Sequence, residues 1–101
     1  MIARVWHGTT SKENRAAYLM YLKKTGLKEF AKSRGNLGAF ILVRDSAELT
    51  EYIVVSLWES MAAIKGFAGD DAKKTVYFPQ DEKFLLRLEP NVKHFKVAAK
   101  L

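Results

Sequence analysis

Cysteine is absent from the 101 residues and proline occurs only twice, which excludes a disulfide scaffold and a cysteine zinc site. There is no HExxH, no glycine-rich dinucleotide fingerprint and no cluster of carboxylates with histidines, so neither a metal nor a cofactor is expected. No apolar run approaches the roughly 20 residues that span a bilayer, and residues 1–6 lack a signal peptide's basic start followed by an apolar stretch. No membrane partner is expected, and the expected compartment is the cytoplasm. The chain also lacks internal repeats, low-complexity tracts and linkers. What it has is 49% apolar and 28% charged residues, too apolar for a disordered segment and suited to one globular domain over residues 1–101.

Charge is uneven. Residues 1–44 hold nine Lys/Arg against two Asp/Glu, net +7, whereas residues 45–101 hold eight against nine, net −1. A basic half can attract nucleic acid, an anionic membrane or an acidic ligand, and it also describes a solvated lysine-rich helix face.

Periodicity predicts a first strand over residues 2–7, closed by Gly8. Thr10 and Glu13 have capping-box spacing and predict a helix with Ala16, Tyr18, Leu19 and Leu22 inward. Gly26 stands where a C-cap glycine would end that helix, leaving residues 27–33 as a separate short one. Residues 35–38 read as a turn into strand 39–43, and a short connection leads to strand 52–58, forming an antiparallel hairpin. Ser60 is placed to cap a helix carrying Ile64 and Phe67 and ended by Gly69. Asp70 is expected to cap one further turn stopped by Pro79, before extended segments 84–88 and 92–97. The order is that of a ferredoxin-like α+β fold, an antiparallel sheet with helices on one face.

Phe40–Ile41–Leu42–Val43 and Ile53–Val54–Val55 are apolar at every position, as in strands covered on both sides. Two main helices shield one face only, so a second copy is expected on the other. The expectation is a sheet-to-sheet homodimer burying on the order of 1,500–3,000 Å².

Leu57–Trp58–Glu59–Ser60, the helix with Ile64 and Phe67, and Val92-x-His94–Phe95-x-Val97 resemble the antibiotic biosynthesis monooxygenase family of the dimeric α/β barrel superfamily, over residues 2–97. The resemblance implies a two-subunit barrel of facing sheets with a pocket in each protomer between sheet and helices. It implies a range of activities: oxygenases of aromatic polyketides and quinols that use neither metal nor flavin, haem-degrading enzymes, and small proteins of unassigned function.

Trp58 matches the family's pocket tryptophan, and strict alternation puts Tyr52, Val54, Ser56 and Trp58 on one face, so Tyr52 and Ser56 are candidates for the same cavity. Trp6 and His7 must point to opposite faces, and at most one is expected in the pocket: Trp6 to stack on a flat substrate, His7 as a general base. His94 in the closing motif is the other candidate base. Phe67 and Tyr77 are candidate aromatic wall. Each also has a plain structural role open to it, in the core or at the surface.

With no cofactor site, an oxygenase must draw its electrons from the substrate. The expected reaction is oxidation of a small quinol- or polyphenol-type aromatic by O₂, with the protein supplying orientation, water exclusion and a proton acceptor, His94 or His7. The alternative is a non-catalytic dimeric module that binds a small ligand or is purely structural. Haem degradation is less favoured, because residues 64–74 lack the helical histidine and the first strand has Trp6–His7 in place of an asparagine. Nucleic-acid binding is not expected: Arg34–Gly35 and Gly38–Ala39–Phe40 resemble an RNA-recognition motif, but strand 52–58 lacks its stacking aromatics.

Overall fold

The computed structural model describes all 101 residues. Four strands, β1 (Ile2–Ser11), β2 (Asn36–Asp45), β3 (Leu49–Trp58) and β4 (Lys93–Lys96), form one antiparallel sheet in the order β2-β3-β1-β4. Helices α1 (Arg15–Leu22), α2 (Lys28–Lys32), α3 (Met61–Ala68) and α4 (Asp81–Phe84) complete the ferredoxin-like α+β fold. No helix is long and apolar enough to cross a membrane.

The pleat divides the sheet chemically. In β3, Thr50, Tyr52, Val54, Ser56 and Trp58 are all buried, and the residues between them are not. Register places Arg4, Trp6, Gly8 and Thr10 of β1 beside Ser56, Val54, Tyr52 and Thr50 on the same inner face. The core gathers there, around Tyr18, Leu22, Phe30, Tyr52, Val54, Trp58 and Ile64. Phe30 meets Trp58 edge-on at 5.9 Å and Phe67 at 5.1 Å, contacts worth about 0.5–1.5 kcal/mol each beyond burial.

The other face has no helix over it. Phe40, Leu42 and Phe95 are 47%, 48% and 54% exposed, and Val5, Ile53, Val55 and Leu57 lie half-buried between them. The unbroken apolar runs of β2 and β3 thus supply a core on one side and an uncovered apolar surface on the other.

Several local expectations are corrected. Gly8 lies mid-strand, because the Trp6 ring rests where a Cβ would stand, and β1 continues to Ser11. Thr10 is buried in that strand with its hydroxyl on Tyr52 and on the Ser11 carbonyl, so it caps no helix. Gly26 does not end a helix: a π-helical turn over Lys23–Leu27 carries α1 into α2, with the Thr25 hydroxyl donating to the Tyr21 carbonyl at 2.8 Å. Residues 70–80 form no helix; the turn at Asp71–Lys74 is closed by the Lys74 N–H donating to the Asp71 carbonyl at 3.1 Å, without a cap from the Asp70 side chain. The expected strand 84–88 is α4 followed by irregular chain, because Asp81 pins the turn, its carboxylate accepting the Phe78 N–H at 2.6 Å and the Tyr18 hydroxyl at 2.7 Å. Ser60 does cap α3, accepting from the Ala63 N–H at 3.1 Å, and Gly69 ends it with φ +89°.

Gly35 has φ +85°, and a Cβ there would lie 2.5 Å from the Ala63 Cβ. Gly35→Ala is expected to cost about 1–3 kcal/mol of stability. Gly66→Ala, with open space around an α3 interior position, is expected to gain about 0.5–1 kcal/mol. Urea unfolding of the two variants checks both signs.

Candidate functional site

Arg4 and Trp6 stand two residues apart on the inner face of β1, near the layer where α1, α3 and residues 69–80 meet the sheet. Trp6 Nε1 donates to the Tyr77 hydroxyl at 3.5 Å, and the two rings meet edge-on at 6.5 Å. Tyr77 in turn donates to the Glu89 carbonyl at 2.6 Å, beside the Thr75 hydroxyl donating to the same oxygen at 2.9 Å. Burial holds the Tyr77 phenol above its ordinary pKa. A small cavity of about 60 Å³ opens here, between Trp6, Val54, Tyr18, Leu22, Tyr77 and the π-helical turn at Gly26. Absence of a side chain at Gly26 keeps its roof thin.

Arg4 is 4% exposed and belongs to none of the molecule's ion pairs. Its Nη1 donates to the Ala72 carbonyl at 2.5 Å and to His94 Nε2 at 3.1 Å, its Nη2 to the Lys74 carbonyl at 3.0 Å, and its guanidinium lies 5.8 Å from the centre of the Phe67 ring. Burial pulls its pKa down to about 10. Because arginine has no acceptor, His94 must offer a lone pair at Nε2 and carry its proton on Nδ1. Burial, with Arg4 and Lys73 nearby, holds the His94 pKa below its usual value.

The remaining candidates divide between core and opposite face. Trp58 is fully buried with its Nε1–H donating to the Ser56 hydroxyl at 2.9 Å, and it packs on Phe67 at 5.6 Å. Tyr52 is fully buried with its hydroxyl 3.0 Å from Thr10. Inner-face alternation therefore brings Tyr52, Ser56 and Trp58 onto the face of the sheet that Trp6 and His94 also occupy, and Phe67 joins them from α3 by packing on Trp58.

His7 lies on the uncovered face. Its Nδ1 is 2.5 Å from Glu89 and its Nε2 2.7 Å from Glu51, which also accepts from Arg44 at 2.9 and 2.6 Å. Carboxylates only accept, so both imidazole nitrogens are protonated, and hydrogen bonding to Glu89 foremost lifts the His7 pKa. No group of three or more histidine or acidic side chains is placed to hold a metal. The largest recess, about 570 Å³, is an open groove between residues 29–35 and α3, with Glu29, Lys32, Arg34 and Glu59 among its lining; only Phe67 of the candidates reaches it. Asn36, at the start of β2, accepts the Gly38 N–H at 3.0 Å and leaves its buried Nδ2 unpaired.

Sequence reasoning missed Arg4 and Asp81. The signal for Arg4 was there: it alternates with Ile2 and Trp6, which puts a guanidinium on an inward strand position. Asp81 gave none.

No protein-family model and no curated relative matches the chain. Among solved structures, it is similar to one named as a candidate antibiotic biosynthesis monooxygenase from Bacillus cereus, at 16% identity and TM-score 0.67, over 99% of this chain and 97% of the other. A variant of MhuD with two manganese protoporphyrin IX molecules per active site matches at 18% identity and TM-score 0.62, over 100% and 98%. A protein of unknown function from Nitrosomonas europaea matches at 17% identity and TM-score 0.55, over 99% and 92%. The fold of these structures is the fold of this chain.

The two histidines are expected to titrate in opposite directions. His7, raised above about 6.5, stabilises the fold fully below that pH and loses its contribution as pH rises through its folded pKa. His94, lowered, stays neutral while the unfolded chain protonates, so stability falls as pH drops below about 6.5. NMR titration of the ring protons gives both pKa values. In urea unfolding across pH, His7→Gln should remove the alkaline loss and His94→Gln the acid loss.

Proposed function

We propose that the protein oxidises a small aromatic substrate of quinol, polyphenol or anthrone type with O₂, as a sheet-to-sheet homodimer. The observation that supports this most is the inner face of β1, where Arg4, hydrogen-bonded to His94, and Trp6, hydrogen-bonded to Tyr77, are successive inward residues, an aromatic pair next to a buried cation and its imidazole. Trp6 and Tyr77 would hold a flat ring. Arg4 would draw in an anionic substrate, and His94 is the proton acceptor once the incoming group displaces its bond to Arg4. In a dry site such an anion can reduce O₂: for an anthrone, the CH₂ becomes C=O, one oxygen atom enters the product and the other leaves as water. Trp58, Tyr52, Ser56 and Phe67 back this wall and fix its shape.

The cavity of about 60 Å³ is well below the roughly 300–1,000 Å³ of small-molecule sites. Substrate entry therefore requires residues 75–78 to swing outward. A porphyrin suits the site poorly. His7 is locked between two carboxylates on the far face, His94 presents its free lone pair to Arg4, and the Trp58 N–H is taken by Ser56.

The uncovered face supports the dimer. Patches of roughly 300–600 Å² or more mark interaction surfaces on soluble proteins, and this one spans all four strands. Its ionic group, Arg44, Glu51, protonated His7 and Glu89, sums to zero charge, and Lys93, exposed beside Val5 on the edge strand β4, would lie at the rim of the covered area. Val55 sits between Val5 and Phe40 in the register. Sedimentation should give twice the chain mass for the wild type at micromolar concentration and the chain mass for Val55→Arg; a monomeric wild type overturns the dimer.

For the reaction, an oxygen electrode with metal-free protein and anthrone- or quinol-type substrates should record uptake above the uncatalysed background. His94→Gln should lower kcat by about 100-fold or more. Ligand binding without uptake would instead mark a non-catalytic binding module.

A further inference from the structure

Building on that reading of the inner-face site, we infer that Arg4 is the receptor for a carboxylate on the substrate, and that two backbone carbonyls of residues 72–74 occupy the receptor while no ligand is bound. Arg4 is buried on a central strand yet pairs with no acidic side chain. Its partners, the Ala72 carbonyl, the Lys74 carbonyl and His94 Nε2, are all neutral. A buried guanidinium with neutral partners has hydrogen bonds but no counter-charge, and a buried charge without an opposite partner is costly.

The geometry of the two carbonyls points to what they replace. One accepts from Nη1 and the other from Nη2, the two nitrogens that a single carboxylate can engage together on arginine. A permanent aspartate in this place would saturate Arg4 and leave nothing for a ligand. Carbonyls of a loop can be exchanged.

Position supplies the rest of the ligand. Trp6 is the next inward residue on β1, about 6.6 Å along the strand. The Trp6 ring runs on from there over Gly8, so an aromatic body joined to a carboxylate on Arg4 would meet the indole at its near edge. A carboxylate on Arg4 therefore lays its aromatic body between Trp6, Tyr77 and the small cavity. Phe67 packs on the other side of the guanidinium. The loop that yields Arg4 is the same one that carries Tyr77, so ligand capture and opening of the cavity are one movement. Residues 73–75 are tied to the following segment by the Thr75 N–H to the Pro90 carbonyl at 3.0 Å and the Val92 N–H to the Lys73 carbonyl at 2.8 Å, and these bonds report whether the loop has moved.

The test is a titration of the full chain with 2-naphthoate and with its neutral isostere 2-naphthamide, read by tryptophan fluorescence. Naphthoate is expected to bind at least tenfold more tightly. Arg4→Met, which replaces an unpaired buried charge by an apolar chain of similar length, should bind both alike, and Arg4→Lys should fall between. If Arg4→Met does not fold, the wild-type comparison alone decides. Equal affinity of the wild type for the two ligands, or binding of neither up to millimolar concentration, overturns the inference. Hydrogen exchange at the Thr75 and Val92 amides should quicken on naphthoate binding; unchanged protection with tight binding overturns the role given to the loop. None of these readouts needs turnover, so a failed oxygenase assay leaves them standing, and efficient oxidation of an uncharged substrate with no carboxylate preference sinks this inference alone.

Discussion

The alternation of β1 organises everything else. It is a central strand, paired on one side with β3 and on the other with β4, so each of its residues must take one face or the other. Arg4, Trp6, Gly8 and Thr10 go inward, and Val5, His7 and Thr9 go outward. Two neighbouring residues, Trp6 and His7, are thereby committed to separate environments. One is aromatic and packed under a loop; the other is ionic and set in an apolar plain. A one-residue slip of this strand would exchange the two and bury the His7 cluster under the helices.

Packing on the inner face explains why the site is tight. Tyr18, Tyr52, Trp58 and Ile64 are fully buried, and their polar atoms are satisfied within the core: Trp58 by Ser56, Tyr18 by Asp81, Tyr52 by Thr10. Burial and Asp81 together push the Tyr18 phenol far above its ordinary pKa, so it is a fixed donor and takes no part in proton transfer. Groups with saturated hydrogen bonds are poorly placed to greet a ligand. Arg4 is the exception, held by neutral acceptors, and the cavity lies where the chain thins to Gly26 in a π-helical turn, a geometry often retained for function.

The sheet and its faces were legible in the sequence because strand alternation is local: the period of two in β3 placed Tyr52, Ser56 and Trp58 together, and Ser60 and Gly69 marked the ends of α3. The misread elements share a cause. Gly26 and the Thr10–Glu13 spacing are local helix signals, but Gly26 is absorbed by a wide turn packed on the core, and Thr10 is claimed by its strand and by Tyr52. Residues 84–88 look like a strand until Asp81 is seen to fix the turn before them from a distance. The site was half legible. Trp6, Tyr77 and His94 stood out by residue type, but their grouping depends on residues 69–80 folding back across β1, which no periodicity encodes. His7 stood out equally and lies on the far face with Glu51 and Glu89, partners separated from it by 44 and 82 positions.

Glu89 joins the two faces. Its side chain holds His7 on the uncovered surface, while its backbone carbonyl accepts both the Tyr77 and the Thr75 hydroxyls over the inner site. The segment that carries it also pairs with residues 73–75, including an isolated bridge between Lys74 and Asn91. Whatever presses on the outer face at His7 therefore presses on the anchor of the inner loop. With the imidazolium in place, Glu89 is tied down and Tyr77 has a fixed acceptor. With His7 neutral, one of its two carboxylates must give up its hydrogen bond, and the anchor loosens. Covering the outer face and closing the inner loop thus draw on the same few atoms, which makes the order of the loop a property of the covered sheet as much as of the single chain.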